Sequence, residues 1–229
     1  ARPNILFVVM ESFSSKLMAS LGGERNVAVN LDRLSVEGLL FRHFYATSFR
    51  TDRGLVSILS GFPSQPTTSI MKMPKVSQSL PSIAASFRKV GYTADYYYGG
   101  DADFTNMRSY LKGTGFEKIV CDEDFPVSDR LSKWGAPDHL LFEKVLSNLR
   151  QNKRQKPWFK VVQTSSSHEP FDVPYHRLND KVLNAFAYTD SCVGHFVDEL
   201  KKLPLWKNTL VVLVPDHLGC YPQDIDNLS

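Results

Sequence analysis

The sequence predicts an α/β fold in which a mainly parallel sheet is sandwiched between helices. Apolar runs such as 4–10 and 158–165 are uninterrupted, which is typical of strands buried on both faces of a parallel sheet. Segments with helical spacing separate these runs, because a helix usually connects one parallel strand to the next. The 229 residues suit one large domain with an ample hydrophobic core.

Strands and helices are predicted in alternation along the chain. The strands are placed at 4–10, 40–46, 92–98, 158–165 and 208–215, and the helices at 30–38, 51–59, 79–91, 136–151 and 183–202. The last helix is supported by apolar side chains that recur at helical spacing from Leu183 to Leu200. The range 63–78 is the longest irregular stretch, and we expect it to form a surface loop near the site.

Capping and breaking residues support three of these helices. Asn30 is a good N-cap for the first helix, and Gly38 follows as its stop. Gly61 ends the second helix. The third helix has Pro81 in its first turn and Gly91 at its end.

Charge and cysteine content exclude several classes of protein. A net charge of +3 is too small to indicate a nucleic-acid partner, and the longest basic run, 152–156, is expected to lie on a solvated surface. No apolar run reaches the ~20 residues that span a membrane. Cys121, Cys192 and Cys220 are odd in number and far apart, so they form neither a disulfide framework nor a zinc knuckle.

Polar residues follow the predicted strands where ligands bind in such folds. Ligands of open α/β sheets lie outside the carboxyl ends of the strands. Glu11 follows the first strand and His168 the fourth, while Asp216 and His217 follow the last. Asp101 and Asp103 come after the third strand, at 92–98. These residues are distant in sequence, and the fold is expected to bring them to one rim of the sheet.

Two carboxylates and a histidine at strand ends suit a divalent cation such as Mn²⁺, Mg²⁺ or Zn²⁺. Thr51 opens a helix, whose positive dipole end favours anions. A cation contacting the Thr51 hydroxyl would lower its pKa and favour the nucleophilic alkoxide. Arg53 is placed to pair with phosphate oxygens in bidentate geometry.

Each of these residues also has an ordinary structural interpretation. Thr51 and Asp52 are typical N-cap residues. Glu11 and His168 can equally form hydrogen bonds to neighbouring loops. The local sequence leaves both interpretations open, and joint placement at strand ends favours the functional one.

Seven motifs follow one another over essentially the whole chain. They are "PNILFVVMES", "ATSFRTDRGLVSILSGFPS", "GTGFEKI", "WGAPDHLLF", "TSSSHEPF", "AYTDSCVGHFVDELKK" and "NTLVVLVPDHLG". In this order they resemble the motifs of the sulfatase-like, alkaline phosphatase superfamily, and especially those of its lipoteichoic acid synthase and phosphoglycerol transferase branch. The most specific parts are the strand-end glutamate, the threonine that opens a helix before "LSG", and the terminal Asp-His pair.

The resemblance assigns roles to the strand-end residues. It implies that the metal ligands are Glu11, Thr51, Asp216 and His217, and that Thr51 is also the nucleophile. It also implies that His168 contacts the phosphate or the leaving group. The segment 99–111 matches a substrate-contacting region, which makes Asp101, Asp103, Asn106 and Arg108 candidates for substrate binding, with Arg53. The tryptophan-arginine pair of the family is not reproduced in register there.

The nucleophile motif separates this chain from true sulfatases. Their motif has Cys or Ser as nucleophile, Pro two residues later and Arg four residues later. The corresponding residues here are Thr51, Arg53 and Leu55. A formylglycine nucleophile is therefore excluded, and sulfate-ester hydrolysis is disfavoured.

The resemblance implies a two-step transfer through a Thr-linked intermediate, with one divalent cation, most of all Mn²⁺. The donor is a phospholipid headgroup, which leaves diacylglycerol behind, and the acceptor is a glycan or polyol-phosphate hydroxyl, or water. The alternatives are a phosphoethanolamine transferase, a sulfuric or phosphoric ester hydrolase, and a non-catalytic binding domain. Three scattered cysteines argue against the first, because such enzymes usually carry several disulfides in this domain.

The resemblance also implies a location and a domain boundary. Family members carry transmembrane helices before this domain, which faces the extracytoplasmic side of the cell membrane. We therefore expect residues 1–229 to belong to one catalytic domain of a longer membrane protein. Only twelve residues follow His217, whereas the family domain continues with further strands and helices, so we expect its C-terminal part to be missing here.

Overall fold

The computed structural model describes residues 2–131, 134–151 and 156–219. Within these ranges, five strands form one all-parallel sheet with the order β3-β2-β4-β1-β5. The strands are β1 Asn4–Met10, β2 Thr93–Tyr98, β3 Lys118–Val120, β4 Trp158–Gln163 and β5 Thr209–Pro215. The predicted α/β fold with a mainly parallel sheet is thus confirmed.

Seven α-helices accompany the sheet in the described residues. They are α1 Val29–Glu37, α2 Thr51–Ser60, α3 Pro74–Ser77, α4 Ile83–Lys89, α5 Met107–Gly113, α6 Asp138–Gln151 and α7 Lys181–Lys201. Side chains from α1, α6 and α7 pack in a hydrophobic core on one face of the sheet. Side chains from α2, α4 and α5 pack in a second core on the other face.

Strand β1 is apolar throughout because it contributes side chains to the hydrophobic cores on both faces of the sheet. Leu6 and Val8 belong to the core beneath α6 and α7, whereas Ile5 and Val9 belong to the core beneath α2 and α4. Successive side chains of a strand point to opposite faces, so covering both faces demands an apolar residue at almost every position.

The predicted strand at 40–46 is wrong. These residues form no strand or helix, and they are exposed to solvent. A strand must pair its backbone N–H and C=O groups with a neighbour, and no described strand pairs with this segment. The apolar composition that suggested a strand remains at the surface, with Phe41, Phe44 and Tyr45 all more than two-thirds exposed.

The sequence pattern also missed the short elements α3, α5 and β3 and placed the start of α4 too early. Helix α5 and the three-residue strand β3 were not predicted, because such short elements show little periodicity. The irregular range 63–78 contains the short helix α3 and a 3₁₀ turn. Pro81 lies before α4, whose N-cap is Ser82; its hydroxyl oxygen accepts hydrogen bonds from the Ala84 and Ala85 amides.

Helix α1 is capped by a distant residue and not by Asn30. The helix begins at Val29, and Asn30 lies inside its first turn. The carboxylate of Asp190, on α7, accepts hydrogen bonds from the Asn30 and Leu31 amides at 2.9 and 2.8 Å. The Asn30 side-chain amide donates to the same carboxylate at 2.9 Å. A side chain on one helix thus satisfies the free N–H groups of another.

Two of the three cysteines lie in the described ranges. Cys121 and Cys192 are free and buried, whereas Cys220 lies outside the described residues. The basic run lies outside them too, except for Lys156. Among the helices that the structure describes, none has the length and apolar character needed to cross a bilayer.

Replacing Asp190 with alanine should destabilise the fold. The change leaves the Asn30 and Leu31 amides without an acceptor, at a cost of about 1–3 kcal/mol for each buried donor. Urea unfolding followed by circular dichroism measures the loss. Asp190→Asn, which keeps one carbonyl oxygen, is the matched control and should lose less; equal stability of wild type and Asp190→Ala would contradict the capping role.

Candidate metal and nucleophile site

Three potential metal ligands converge at the carboxyl ends of β1 and β5. Glu11 directly follows β1, and Asp216 and His217 directly follow β5. The two strands are hydrogen-bonded neighbours in the register that places Met10 opposite Pro215. All three side chains are buried, and one potential ligand atom from each lies within 4.8 Å of the others. The sequence-based prediction that these residues meet at one rim is confirmed.

Thr51 joins this cluster from the first position of α2. Its Oγ1 donates to Glu11 Oε2 at 3.0 Å and lies 3.1 Å from His217 Nε2. The N-cap of α2 is Arg50, and no side chain caps the helix. The capping interpretation of Thr51 and Asp52 is therefore wrong, and the Thr51 hydroxyl is directed into the ligand cluster.

Ser12 and the backbone of β5 fix the carboxylates in place. Ser12 Oγ donates to Glu11 Oε1 at 2.6 Å, and the Ser12 amide donates to Asp216 Oδ1 at 2.9 Å. The His217 amide donates to the same Asp216 oxygen at 2.8 Å. Ser12 has a φ of +61°, a left-handed conformation that non-glycine residues rarely adopt. Strained residues of this kind cluster at functional sites.

The remaining atoms of the cluster fit a divalent cation. Asp216 Oδ2 is buried and has no hydrogen-bond partner, an expensive arrangement unless another group contacts the oxygen. His217 Nδ1 donates to the Leu218 carbonyl at 2.9 Å, which leaves the Nε2 lone pair for the site. Two carboxylates, one imidazole and one hydroxyl are ligands that Mn²⁺, Mg²⁺ and Zn²⁺ accept.

Burial and mutual charge shift the pKa values of all three titratable groups in the cluster. Burial raises the pKa of Asp216 to about 8, and the charge of Glu11 adds to the effect. Burial disfavours the charged form of His217, but its hydrogen bond with Glu11 and the Asp216 charge raise its pKa to about 9. Burial also disfavours the Glu11 carboxylate, yet its hydrogen bond with His217 leaves the pKa of Glu11 below its ordinary value. The cluster thus retains protons, which a cation would displace.

Gly54 allows α2 to approach the end of β5. A Cβ atom at position 54 would lie 2.2 Å from the Asp216 carbonyl oxygen, so any larger residue collides with backbone. This contact brings the first turn of α2, with Thr51, against the metal ligands. Gly54 was not among the predicted site residues, although a glycine inside a predicted helix is a signal of close packing.

His168 follows β4 on a turn that is tied to the metal ligands. The Ser167 hydroxyl donates to the Glu11 carbonyl at 2.7 Å, which links this turn to β1. His168 is half-buried, and its Nδ1 donates to the Glu169 carbonyl at 3.1 Å. Its ring contacts the indole of Trp134, with ring centroids 4.2 Å apart. Trp134 is a second residue that the sequence analysis did not assign to the site.

The predicted substrate-binding residues make internal contacts in this structure. Arg108 Nε donates to Asp103 at 2.9 Å, and the Asp103 amide donates to Asp101 at 2.8 Å. Asn106 adopts a left-handed conformation with φ of +69°. Arg53 donates to the Pro66 carbonyl at 2.7 Å. The role of these four residues and of Arg53 in substrate binding stays a prediction.

Comparison with known proteins places the chain in a family. The family model described as Sulfatase matches residues 3–223, almost the whole chain. The chain belongs to the sulfatase family. The expectation of an enzyme of the sulfatase-like superfamily is thereby confirmed at the level of the family.

Individual sulfatase-like proteins refine this assignment. The chain is 26% identical to lipoteichoic acid synthase of Staphylococcus aureus over 95% of its length, but spans only 36% of that protein. A Vibrio parahaemolyticus protein of the alkaline phosphatase superfamily is 31% identical with a TM-score of 0.89; the match covers 98% of this chain and 57% of that one. The lipoteichoic acid synthase LtaP of Listeria monocytogenes is 23% identical with a TM-score of 0.84, over 94% and 56% of the two chains.

More distant structures share the fold alone. The phosphoglycerol transferase GacH of Streptococcus pyogenes is 16% identical with a TM-score of 0.66, over 97% of this chain and 63% of that one. The C-terminal periplasmic domain of EptC from Escherichia coli, solved in complex with Zn, is 16% identical with a TM-score of 0.69, over 94% and 64%. These two matches show a shared fold and no more.

Replacing Gly54 with alanine should disable this sulfatase-family site without unfolding the domain. The new Cβ would push α2 away from Asp216, and displacements of about 1 Å in a reacting group can cost about 100-fold in rate. Turnover and Mn²⁺ affinity of the full-length protein should both fall. Gly38→Ala is the control, because its Cβ would meet only the Leu34 carbonyl at 3.7 Å; unchanged turnover in Gly54→Ala would contradict this role.

Metal affinity should rise with pH. Asp216 and His217, with pKa values raised to about 8 and about 9, must lose their protons before binding a cation. Affinity should therefore increase up to about tenfold per pH unit for each proton released, levelling off above the higher pKa. Calorimetric titration of the full-length protein with MnCl₂ at several pH values measures this slope. Asp216→Asn should make the dependence of affinity on pH less steep. A pH-independent affinity in the wild type would contradict the displacement of protons from Asp216 and His217.

Proposed function

We propose that the domain transfers a phosphorylated headgroup from a membrane phospholipid to a glycan or polyol-phosphate hydroxyl of the cell envelope. The observation that carries the proposal is the position of Thr51 Oγ1, at 3.0 and 3.1 Å from Glu11 and His217. A hydroxyl that opens a helix beside a buried ligand set is equipped to act as a nucleophile on phosphorus. The names of the matched proteins, lipoteichoic acid synthase and phosphoglycerol transferase, support phosphoglycerol as the transferred group.

One divalent cation completes the proposed site. Glu11, Thr51, Asp216 and His217 would hold it, and the unpartnered Asp216 Oδ2 supports this assignment. Oxygen ligands with one imidazole suit Mn²⁺, Mg²⁺ and Zn²⁺, and the resemblance to the lipoteichoic acid synthase branch puts Mn²⁺ first among them. When bound, the cation neutralises charge on the nonbridging phosphate oxygens and lowers the pKa of the Thr51 hydroxyl.

The residues divide the proposed reaction into two steps. Thr51 enters the first step as an oxyanion, its proton having passed to solvent. A bond forms between Thr51 Oγ1 and phosphorus as the bond to the diacylglycerol oxygen breaks, and His168 donates a proton to that departing oxygen. In the second step an acceptor hydroxyl gives its proton to the neutral His168 and attacks phosphorus. Thr51 then leaves and regains a proton from solvent.

The location and extent of the domain are part of the proposal. We infer that it works on the extracytoplasmic side of the cell membrane as part of a longer protein. The periplasmic origin of the EptC domain and a lipid donor support that location. Partial coverage of the matched proteins supports additional chain in the same domain. Leu210, on the edge strand β5, is 54% exposed and offers apolar surface for it.

Replacing Thr51 with alanine should abolish diacylglycerol release from phosphatidylglycerol by the full-length protein with Mn²⁺ present. The reason is that alanine removes the hydroxyl that attacks phosphorus in the proposed first step. Release is measured by chromatography of the lipid products. Thr51→Ser keeps the hydroxyl and should retain measurable turnover.

Two outcomes would revise the proposal differently. Full turnover by Thr51→Ala would remove Thr51 as nucleophile. Preference of the wild type for phosphatidylethanolamine over phosphatidylglycerol would change the donor headgroup to phosphoethanolamine while leaving the nucleophile in place. Both donors are therefore assayed in parallel.

A further inference from the structure

The imidazole of His168 is held by the indole of Trp134. The two ring centroids are 4.2 Å apart with an interplanar angle of 47°. Trp134 Nε1 donates to the carbonyl of Glu169, the same oxygen that accepts from His168 Nδ1 at 3.1 Å. One carbonyl thus fixes both rings, and it leaves His168 Nε2 as the nitrogen free to serve a substrate.

Trp134 also contacts the segment 99–111, through the ring of Phe104. The ring of Phe104 packs edge-on against the indole, with centroids 5.6 Å apart and an angle of 83°. Phe104 belongs to 99–111, the segment predicted to contact substrate. The indole therefore lies between Phe104 of that segment and His168, in contact with both rings.

Asp138 anchors the backbone on which His168 is carried. Its buried carboxylate accepts hydrogen bonds from the Ser165 and Ser166 amides at 2.8 and 3.2 Å, and from the Thr189 hydroxyl at 2.6 Å. Burial raises the pKa of this carboxyl above its ordinary value. Asp138 is the first residue of α6, so these bonds tie the turn before His168 to the helix that follows Trp134.

We propose that Trp134 is a positioning residue that holds His168 as the proton donor of the transfer, with Asp138 anchoring the turn. The inference rests on the proposed function through the role of His168. In the step concerned, the bond between phosphorus and the leaving oxygen breaks, and the proton on His168 Nε2 passes to that oxygen. Loss of the indole leaves the Glu169 carbonyl as the hydrogen-bond partner of the imidazole but removes the ring that packs against its face.

A comparison of two leaving groups tests this role in the full-length protein. Phosphatidylglycerol releases an alkoxide that needs a proton, whereas a nitrophenyl ester of phosphoglycerol releases a stable anion. Trp134→Ala should lower turnover of the lipid by about 10- to 100-fold, as misplacement of a reacting group does. The same change should lower turnover of the nitrophenyl ester by less than about threefold, since proton donation contributes little there.

Two controls separate positioning from general damage. Trp134→Phe keeps an aromatic ring beside His168 and should retain most of the lipid activity. Trp206 is a half-buried tryptophan just before the amino end of β5, whereas the site lies at the carboxyl end of that strand. Trp206→Ala should therefore not alter the ratio of the two activities. Thermal melting identifies any variant that is unfolded at the assay temperature; Trp134→Leu then replaces the alanine variant.

A double-mutant cycle decides whether Trp134 acts through His168. In the His168→Asn background, adding Trp134→Ala should cost no further lipid turnover, because the group that it positions is already absent. Equal losses on the two substrates, or additive losses in the double mutant, would overturn the positioning role. Failure of the proposed function is distinguishable from failure of the positioning role, because Thr51→Ala would then retain turnover of both substrates.

Discussion

Two carboxylates buried side by side are the constraint on which this structure depends. The parallel pairing of β1 with β5 places Glu11 next to Asp216, and neither side chain is exposed to water. Burial of like charges is costly unless a proton or a cation compensates them. Here His217 supplies part of the compensation through its 3.3 Å contact with Glu11. The sheet therefore builds a site whose charge favours a divalent cation.

Neighbouring contacts hold Thr51, the proposed nucleophile, beside these charged groups. Gly54 lets α2 approach the end of β5, so that the helix delivers Thr51 at hydrogen-bond distance. Ser12, in a left-handed conformation, joins the two carboxylates through one amide and one hydroxyl. Preorganisation of this kind lowers the cost of aligning reacting groups. The site needs all three contacts, because each fixes a different atom of the cluster.

A second set of contacts holds His168, the proposed proton donor. The turn that bears His168 is bonded to Glu11 through Ser167 and to α6 through Asp138, while Trp134 packs against the imidazole. The proposed nucleophile and the turn that bears the proposed proton donor are thus both hydrogen-bonded to Glu11, at the end of β1. The shared connection to β1 explains how two residues separated by more than a hundred positions can be held in one geometry.

Strand-end residues were the part of the site that the sequence alone determined. Buried strands have continuous apolar runs; two such runs end directly before Glu11 and Asp216, and His168 follows a third after a short polar stretch. The tertiary structure alone decided the capping of α1 by Asp190, the role of Gly54, the contact of Trp134 and the absence of a strand at 40–46. Asn30 and Asp190 are 160 positions apart, and a contact over that separation leaves no local pattern. Periodicity reports which face of an element is buried, whereas only packing decides what that face meets.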